Sequence, residues 1–259
     1  MDQYRHERRA MRHLPIKTLD EVDSTNDVAL AAGRDGAPHG WAVAARRQTA
    51  GRGRRGHVWE SPEGNLYLSV LLRPQVAPTR LPGLAAACGL GVLDGLKALG
   101  VANEAQLKWP NDLLARGRKL AGILVEVGRD GRGGAFAVCG VGVNVGGAPR
   151  DLGAIALAEL AAGAAPSFTS LAEALRGGVV ARVGSWASSG GDRPLDGVRE
   201  AYLERLAWRG EEVVARSPDG SELARGTLET VDAWGRAVLL APDGIRVPVS
   251  AEQASLRPA

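Results

Sequence analysis

Hydrophobic and polar residues alternate along the first third of the chain in short runs that are typical of β-strands. Such runs predict strands at residues 16–22, 41–48 and 64–72. After the first strand, Ser24 stands three residues before Asp27 in the pattern of a capping box, so we expect a short helix from Asn26 to Ala32. A longer helix is predicted over 80–99, and its glycines require close packing against a sheet.

The alternation continues in the middle of the chain and then gives way to helical spacing. Further strands are expected at 105–109, 112–115, 120–127 and 135–145, and helical patterns at 152–162, 169–186 and 194–208. After Trp208, four or five short alternating strands separated by D-G and W-G turns fill about fifty residues, which predicts a small barrel. We therefore expect a basic, loosely held arm at 1–13, a main domain at 14–208 and a barrel at 209–259.

Composition places the chain among ordinary soluble proteins. Of 259 residues, 45% are hydrophobic and 24% charged. No run of 18 apolar residues occurs, and the charged start lacks the apolar core of a signal peptide. These features predict a cytoplasmic protein with no membrane partner. Cys88 and Cys139 lie in apolar surroundings, so we interpret both as buried small residues and predict no protein-held metal site.

Residues 46–55 carry five arginines and no acid, although the net charge of the whole chain is only +3. Within this stretch, 51–56 has the spacing G-x-G-x-x-G of a dinucleotide-binding turn. That interpretation fails, because Pro62 and Gly64 follow where a helix is required and 70–80 contains no acid for a ribose.

The glycines and arginines of this loop have a physical meaning of their own. Gly51, Gly53 and Gly56 allow positive φ and a close approach of the backbone to a ligand. The guanidinium groups between them suit phosphate or carboxylate. Because the crowded charges repel, we expect a loop that is mobile until an anion binds. Taken alone, this segment is also compatible with a solvated basic loop without a ligand, or with a nucleic-acid contact.

Neighbouring segments favour one interpretation. They are "DSTN" (23–26), "QTAGRGRRGHVWESPEGNLYLS" (48–69), "LKWPNDLL" (107–114), "RKLAGILVE" (118–126) and "GVGVNV" (140–145). Together, and in this order, they resemble biotin–protein ligases over about residues 14–257. The resemblance implies an α+β fold in which a mixed β-sheet backed by helices precedes a small SH3-like barrel.

The resemblance also implies a reaction. Biotin is activated by ATP, with Mg²⁺, to biotinyl-5′-AMP and pyrophosphate. The biotinyl group is then transferred to a lysine of a biotin carboxyl carrier domain. The implied catalytic residues are Arg52, Lys119 and Asp112. The implied biotin contacts are Ser24, Thr25, Asn26, Gln48, Arg52, Gly53, Arg54, Lys119 and Gly122. The implied ATP contacts are Arg52, Arg54, Arg55, Trp59, Asn111, Lys119 and Asn144.

Several of these residues have a structural interpretation as well. Ser24 and Thr25 could cap a helix, Trp59 could be a core residue, and Asp112 could fix a turn after Pro110. Lys108, in the same segment as Asp112, could pair with that carboxylate or contact a phosphate.

Some features depart from the family or leave alternatives open. His57 stands where relatives often carry Arg or Lys. The resemblance begins near residue 14, which leaves too little chain for a DNA-binding helix-turn-helix, so no DNA partner is expected. A lipoate or octanoate ligase or transferase of the same fold, and a nucleic-acid-binding module that uses Arg46–Arg55, are the alternatives. The pattern fits a homodimer as well as a monomer.

Overall fold

The computed structural model describes residues 14–149, 153–160 and 165–259, so the basic arm predicted at 1–13 lies outside the described residues. The strands are Lys17–Val22 (β1), Ala42–Gln48 (β2), Leu66–Leu72 (β3), Gln106–Lys108 (β4), Asp112–Ala115 (β5), Arg118–Arg129 (β6), Ala135–Val143 (β7), Glu212–Arg216 (β8), Glu222–Val231 (β9), Ala237–Leu240 (β10), Arg246–Val249 (β11) and Ser255–Pro258 (β12). The α-helices are Thr25–Arg34 (α1), Leu84–Ala98 (α2), Leu157–Leu160 (α3), Phe168–Ser188 (α4) and Arg199–Glu204 (α5).

The main sheet has seven strands in the order β1-β2-β3-β7-β6-β5-β4. β1 runs parallel to β2, whereas the other neighbouring pairs are antiparallel. Every residue of β3 is buried, because the strand lies in the middle of the sheet. α2 and α4 pack on one face of the sheet and on each other. The α+β fold with a mixed sheet backed by helices is confirmed.

The helix expected over 80–99 is divided in two. A 3₁₀ helix, Pro78–Gly83, contains Pro82, and α2 begins directly after it at Leu84. Proline lacks the N–H that a continuous α-helix would need at this point. Segment 78–98 is long and apolar enough to cross a membrane, but 67% of its most apolar window is buried inside the protein. It is therefore a core helix.

The helical patterns after residue 150 are only partly correct. The pattern at 169–186 corresponds to α4, whose N-cap Ser167 accepts a hydrogen bond from the Ser170 N–H. The pattern at 194–208 yields the much shorter α5, because Gly197 has a φ of 82° and the helix begins only after it. Of 152–162, the described part contains α3 alone.

The C-terminal strands form a second, antiparallel sheet in the order β11-β10-β9-β8-β12, as expected for a small SH3-like barrel. Val213 and Leu228 of this sheet belong to the same hydrophobic cluster as Leu107 of β4. The Trp109 indole also donates to the Gly235 carbonyl at 2.9 Å. The two sheets therefore share one core. The domain boundary at 209 stays a prediction.

Candidate active site

A cleft of about 590 Å³ opens beside the main sheet, a size that suits a small-molecule ligand. It lies between the start of α1, the glycine-arginine loop (51–59), the β4–β5 turn and the end of β12. All the site residues predicted from the sequence line this cleft except Asn144. The fold thus brings together residues that are up to a hundred positions apart.

One wall of the cleft is a buried polar network around Thr25 and Gln48. The Thr25 backbone N–H and hydroxyl both donate to Gln48 Oε1, at 2.8 and 3.0 Å. Gln48 Nε2 donates to the Ser61 hydroxyl at 3.1 Å, and the hydroxyl oxygens of Ser69 and Thr25 lie 2.8 Å apart. These bonds fix the orientation of the Gln48 amide, so the wall presents a defined pattern of donors and acceptors.

The capping box predicted at Ser24 and Asp27 is wrong. Ser24 occupies the N-cap position of α1, but its side chain makes no capping hydrogen bond. The Asp27 carboxylate instead receives two hydrogen bonds from Arg52, at 2.6 Å each. The Asp27 carboxylate is thus directed toward Arg52 instead of back to the first turn of α1. The buried Ser24 hydroxyl lines the cleft instead.

Asn26 is held on both sides of its amide group. Its Nδ2 donates to Glu126 Oε2 at 2.6 Å, and its Oδ1 accepts from the Ser69 hydroxyl at 2.6 Å. Gly140 lies directly beneath it, where a Cβ atom would overlap the amide. Asn26 therefore connects α1 to β3, β6 and β7 at the edge of the cleft.

The arginines of the glycine-arginine loop all have partners. Arg52 pairs with Asp27 and lies 3.5 Å from Glu126, and this pairing lowers the pKa of Asp27 and raises that of Arg52. Arg54 donates to Asn111 Oδ1 at 3.3 Å. Burial, followed by the charge of Arg55, lowers the pKa of Arg54. The repulsion expected within the loop is therefore offset by contacts on both of its sides.

The second side of the loop is the C-terminal sheet. Arg54 and Arg55 both donate to the Ala251 carbonyl, at 2.7 and 2.6 Å, and Arg55 also donates to the Ala254 carbonyl. Of the loop glycines considered for positive φ, Gly56 has it, at 75°, and Arg55 beside it has a φ of 57°, whereas Gly53 has a φ of −105°. The loop thus links α1 to the barrel across the mouth of the cleft.

Trp59 lies on a floor made of two glycines. Gly122 of β6 and Gly142 of β7 are direct partners in the sheet, and the indole ring covers both. A Cβ atom would come within 2.7 Å of the ring at Gly122 and within 2.6 Å at Gly142, so only glycine fits at either position. Lys119 Nζ lies 4.9 Å from the ring centroid. Trp59 is a half-buried part of the cleft wall rather than a core residue.

The Asp112 carboxylate lies between two lysines. Lys119 Nζ is 2.8 Å from Oδ1, and Lys108 Nζ is 3.5 Å from Oδ2. Burial lowers the pKa of Lys108, an effect that the charge of Asp112 opposes. Asn111, next to Asp112, donates to the Ile123 carbonyl at 2.7 Å and so ties the turn to β6. Lys108 thus pairs with the carboxylate, and a contact with a phosphate stays a prediction.

Asn144 lies outside the cleft lining. It is buried, and its Nδ2 donates to the Lys119 carbonyl at 3.2 Å, while its backbone N–H donates to the Leu120 carbonyl. Its contacts therefore support the backbone of Lys119. A direct contact with a nucleotide stays a prediction.

Comparison with known proteins agrees with this geometry. The model of the biotin/lipoate A/B protein ligase family matches residues 19–144. The biotin–[acetyl-CoA-carboxylase] ligase of Paracoccus denitrificans is 36% identical over 246 residues, which cover 90% of this chain and 98% of that protein. The chain belongs to this family.

Further relatives extend the likeness to biotin ligases. The biotin–[acetyl-CoA-carboxylase] ligase of Mycobacterium tuberculosis is 37% identical over 86% of this chain and 82% of its own length. Among solved structures, the biotin protein ligase of Aquifex aeolicus in complex with biotin and ATP has a TM-score of 0.77 and 26% identity, over 94% of this chain and 99% of that one. The fold is thus that of biotin protein ligases.

Sequence reasoning missed four polar residues that organise the ligase cleft: Ser61, Ser69, Asp27 and Glu126. Ser69 could have been noticed in the sequence, because it is the polar residue in the otherwise apolar run "LSVLL". In the structure it is fully buried, and a buried hydroxyl needs a hydrogen-bond partner. Glu126 closes the segment "LAGILVE", where a carboxylate after an apolar strand could have been noted. Ser61 and Asp27 carry no signal of this kind.

Proposed function

We propose that this protein is an ATP-dependent biotin protein ligase. It activates biotin to biotinyl-5′-AMP with release of pyrophosphate and then transfers the biotinyl group to one lysine of a biotin carboxyl carrier domain. The observation that carries the proposal is the cleft itself, where a buried polar wall, a glycine floor under Trp59 and a basic rim meet. Both substrates are present in the Aquifex structure that this chain covers almost completely.

The basic rim suits the first step. A carboxylate oxygen of biotin attacks the α-phosphorus of ATP, the bond from that phosphorus to the bridging oxygen breaks, and pyrophosphate leaves with the electron pair. Negative charge gathers around the phosphorus, and fixed cations stabilise it. We assign this role to Arg52 and Lys119. Both residues line the cleft, and both side chains are exposed enough for the charged group to turn toward a ligand.

The opposite wall suits biotin. The ureido group needs both donors and acceptors, which Ser24, Thr25 and Gln48 supply. The indole of Trp59 gives the apolar surface that a biotin ring or adenine requires. The remaining assigned biotin contacts are Asn26, Arg52, Gly53, Arg54, Lys119 and Gly122. The assigned ATP contacts are Arg52, Arg54, Arg55, Trp59, Asn111 and Lys119, with Asn144 behind Lys119.

Mg²⁺ belongs to the nucleotide in this proposal. Within 14–149, 153–160 and 165–259, no group of three His, Cys, Asp or Glu side chains is arranged to hold a metal ion. Asp112, the one carboxylate of the cleft lining, is already paired with two lysines. The residues therefore do not fit a protein-held metal, and Mg²⁺ would be held by the phosphates of ATP.

Asp112 is assigned to the second step. The ε-amine of the acceptor lysine has an ordinary pKa near 10.4, so only about one in 2,500 is neutral at pH 7. After the acceptor ammonium has given one proton to Asp112, the amine nitrogen attacks the acyl carbon, and the nitrogen loses its second proton to water as the amide forms. The C–O bond to the phosphate breaks, and AMP leaves with the electron pair. The carboxylate also orients the amine.

The alternatives make different predictions. A lipoate or octanoate ligase would be stabilised by those acids rather than by biotin, and a nucleic-acid-binding module would lose affinity steeply with salt. Neither is favoured by the relatives, which carry biotin ligase names. Cytoplasmic location, the homodimer and the absence of a DNA partner stay predictions.

The test combines biotin, ATP with Mg²⁺ and a biotin-acceptor domain, and follows pyrophosphate release and the mass of the acceptor. We expect a mass gain of one biotin on one lysine. Arg52→Ala should slow adenylate formation at least about a hundredfold, the magnitude typical of losing a charge-stabilising group. Arg47→Ala, at an exposed arginine paired with Glu21, is the matched control. If the unaltered protein releases no pyrophosphate and labels no acceptor, the proposal is wrong.

A further inference from the structure

Lys108 is a charged residue of the cleft that the proposed reaction does not yet use. It ends β4 and faces Asp112 across the hairpin, where the two are direct partners in the β4–β5 register. Its side chain is only 8% exposed, whereas that of Lys119 is 32% exposed. Asp112 therefore has one buried lysine and one accessible lysine, each on a different carboxylate oxygen.

The surroundings of Lys108 keep its ammonium close to Asp112. Its Nζ lies 5.7 Å from the centroid of the Trp208 ring, a distance at which a cation is attracted to the face of an indole. A buried ammonium without a partner is costly, so Lys108 cannot leave Asp112 at low cost. Lys119 has no such restriction, because part of its side chain is in solvent.

The two lysines therefore respond differently to a substrate. In the proposed first step Lys119 turns to the α-phosphate, which vacates Oδ1 of Asp112. Lys108 stays on Oδ2. The acceptor amine can then approach the vacated oxygen while the carboxylate keeps its position and its charge.

The charge around Asp112 acts on the incoming amine as well. Arg54 of the loop and Arg257 of β12 face this pair from the other sides of the cleft, in addition to Lys119 of β6. Burial, followed by the charge of Asp112, raises the pKa of Tyr202 of α5. Lys108, Arg54 and Arg257 outnumber the carboxylates near them, which are Asp112 and, beside Arg54, Glu252, so an ammonium entering here is repelled and a neutral amine is not.

From this juxtaposition we propose that Lys108 is a positioning residue for biotinyl transfer. Its buried ammonium holds the Asp112 carboxylate in place after Lys119 leaves, and it favours the neutral form of the acceptor amine. The proposal rests on the function assigned to Asp112 above. The first proton lost by the acceptor ammonium passes to Asp112 and then to water; the neutral amine then forms the C–N bond, the C–O bond to the phosphate breaks as AMP departs, and the second proton of the nitrogen is lost to water.

The experiment separates transfer from activation. Preformed biotinyl-5′-AMP and the acceptor domain are mixed with full-length protein from about pH 6 to about pH 10, and the labelling rate is fitted to an apparent pKa. In Lys108→Met we expect this profile to move to higher pH by about one unit, so that transfer at pH 7 is about tenfold slower. Lys108→Arg keeps the charge and should keep the profile of the unaltered protein. Lys97→Met, at an exposed lysine of α2, is the control.

The outcomes distinguish the role of Lys108 from a merely structural one. A Lys108→Met protein that labels more slowly at every pH, with an unchanged apparent pKa, would refute the proposal. A Lys108→Arg profile shifted as far as that of Lys108→Met would refute it too, and this variant decides if Lys108→Met does not fold. If the unaltered protein forms no adenylate and labels no acceptor, the proposed function itself is wrong.

Discussion

The pair between Arg52 and Asp27 should compete with the anionic substrate. Asp27 does not line the cleft, yet it holds the guanidinium that we assign to the carboxylate of biotin and the α-phosphate. An anion that recruits Arg52 must therefore displace Asp27. Asp27→Asn removes the competing charge and keeps the size of the side chain, so we expect it to bind biotin more tightly.

The exposure of the pair sets the size of this effect. The side chains of Arg52 and Asp27 are 38% and 52% exposed, and ion pairs in such positions contribute at most about 1 kcal/mol. Releasing that amount to the ligand corresponds to about a fivefold lower Kd. The gain should shrink as salt is added, because salt screens an exposed pair.

The assay is calorimetric titration with biotin at low and high salt. Since Arg52 holds the pKa of Asp27 below its usual range, the pair is fully ionised at neutral pH, and the difference should not depend on pH there. Glu21→Gln removes the carboxylate of another exposed arginine pair, Arg47–Glu21, and should leave the Kd unchanged. Weaker or unchanged binding by Asp27→Asn would mean that Asp27 orients Arg52 for the ligand, and the competition argument would be wrong.

Two further predictions concern stability. Gly177→Ala should raise the free energy of unfolding by about 0.5–1 kcal/mol, because this helical position is open, whereas Gly178→Ala should lower it by about 1–3 kcal/mol, because its Cβ would overlap the Gly91 carbonyl of α2. Equal effects of the two changes in urea unfolding would contradict the packing of α2 on α4. Burial raises the pKa of Tyr67 to about 12, so the unfolded chain ionises first, and stability should fall between about pH 10 and about pH 12. Tyr67→Phe should flatten that fall in thermal unfolding, and an equally steep decline would show that another group causes it.

Local features of the fold could be predicted from the sequence, whereas pairings between distant residues could not. The apolar runs in 41–48 and 64–72 are enough to locate β2 and β3, since a strand buried on both faces of a sheet is nearly continuously apolar. The capping box predicted at Ser24 and Asp27 shows where local patterns fail. Asp27 follows Ser24 at the right spacing, but the tertiary fold brings Arg52 to it, and no local pattern reports that.

The cleft shows the same limit at the level of the site. Its residues could be named from motifs, but their partners could not, because Asn26 and Glu126 meet from a hundred positions apart. The glycine of "LAGI" lines the cleft, as its expected place near biotin requires. Its contact with the Trp59 ring could not be predicted, because Gly122 and Gly142 become neighbours only in the sheet register. The register is set when the strands pair and cannot be predicted from either strand alone.

The glycine-arginine loop explains why the C-terminal sheet matters to a site built mainly on the first one. The loop has the letters of a dinucleotide-binding turn, but no helix follows it to bind phosphate through its N-terminus. Its cations must therefore be positioned by side-chain contacts. Arg52 is held by α1, whereas Arg54 and Arg55 are held by backbone carbonyls at Ala251 and Ala254. Because backbone carbonyls carry no net charge, they hold these arginines without neutralising them, and the positive charge stays available to an anion in the cleft.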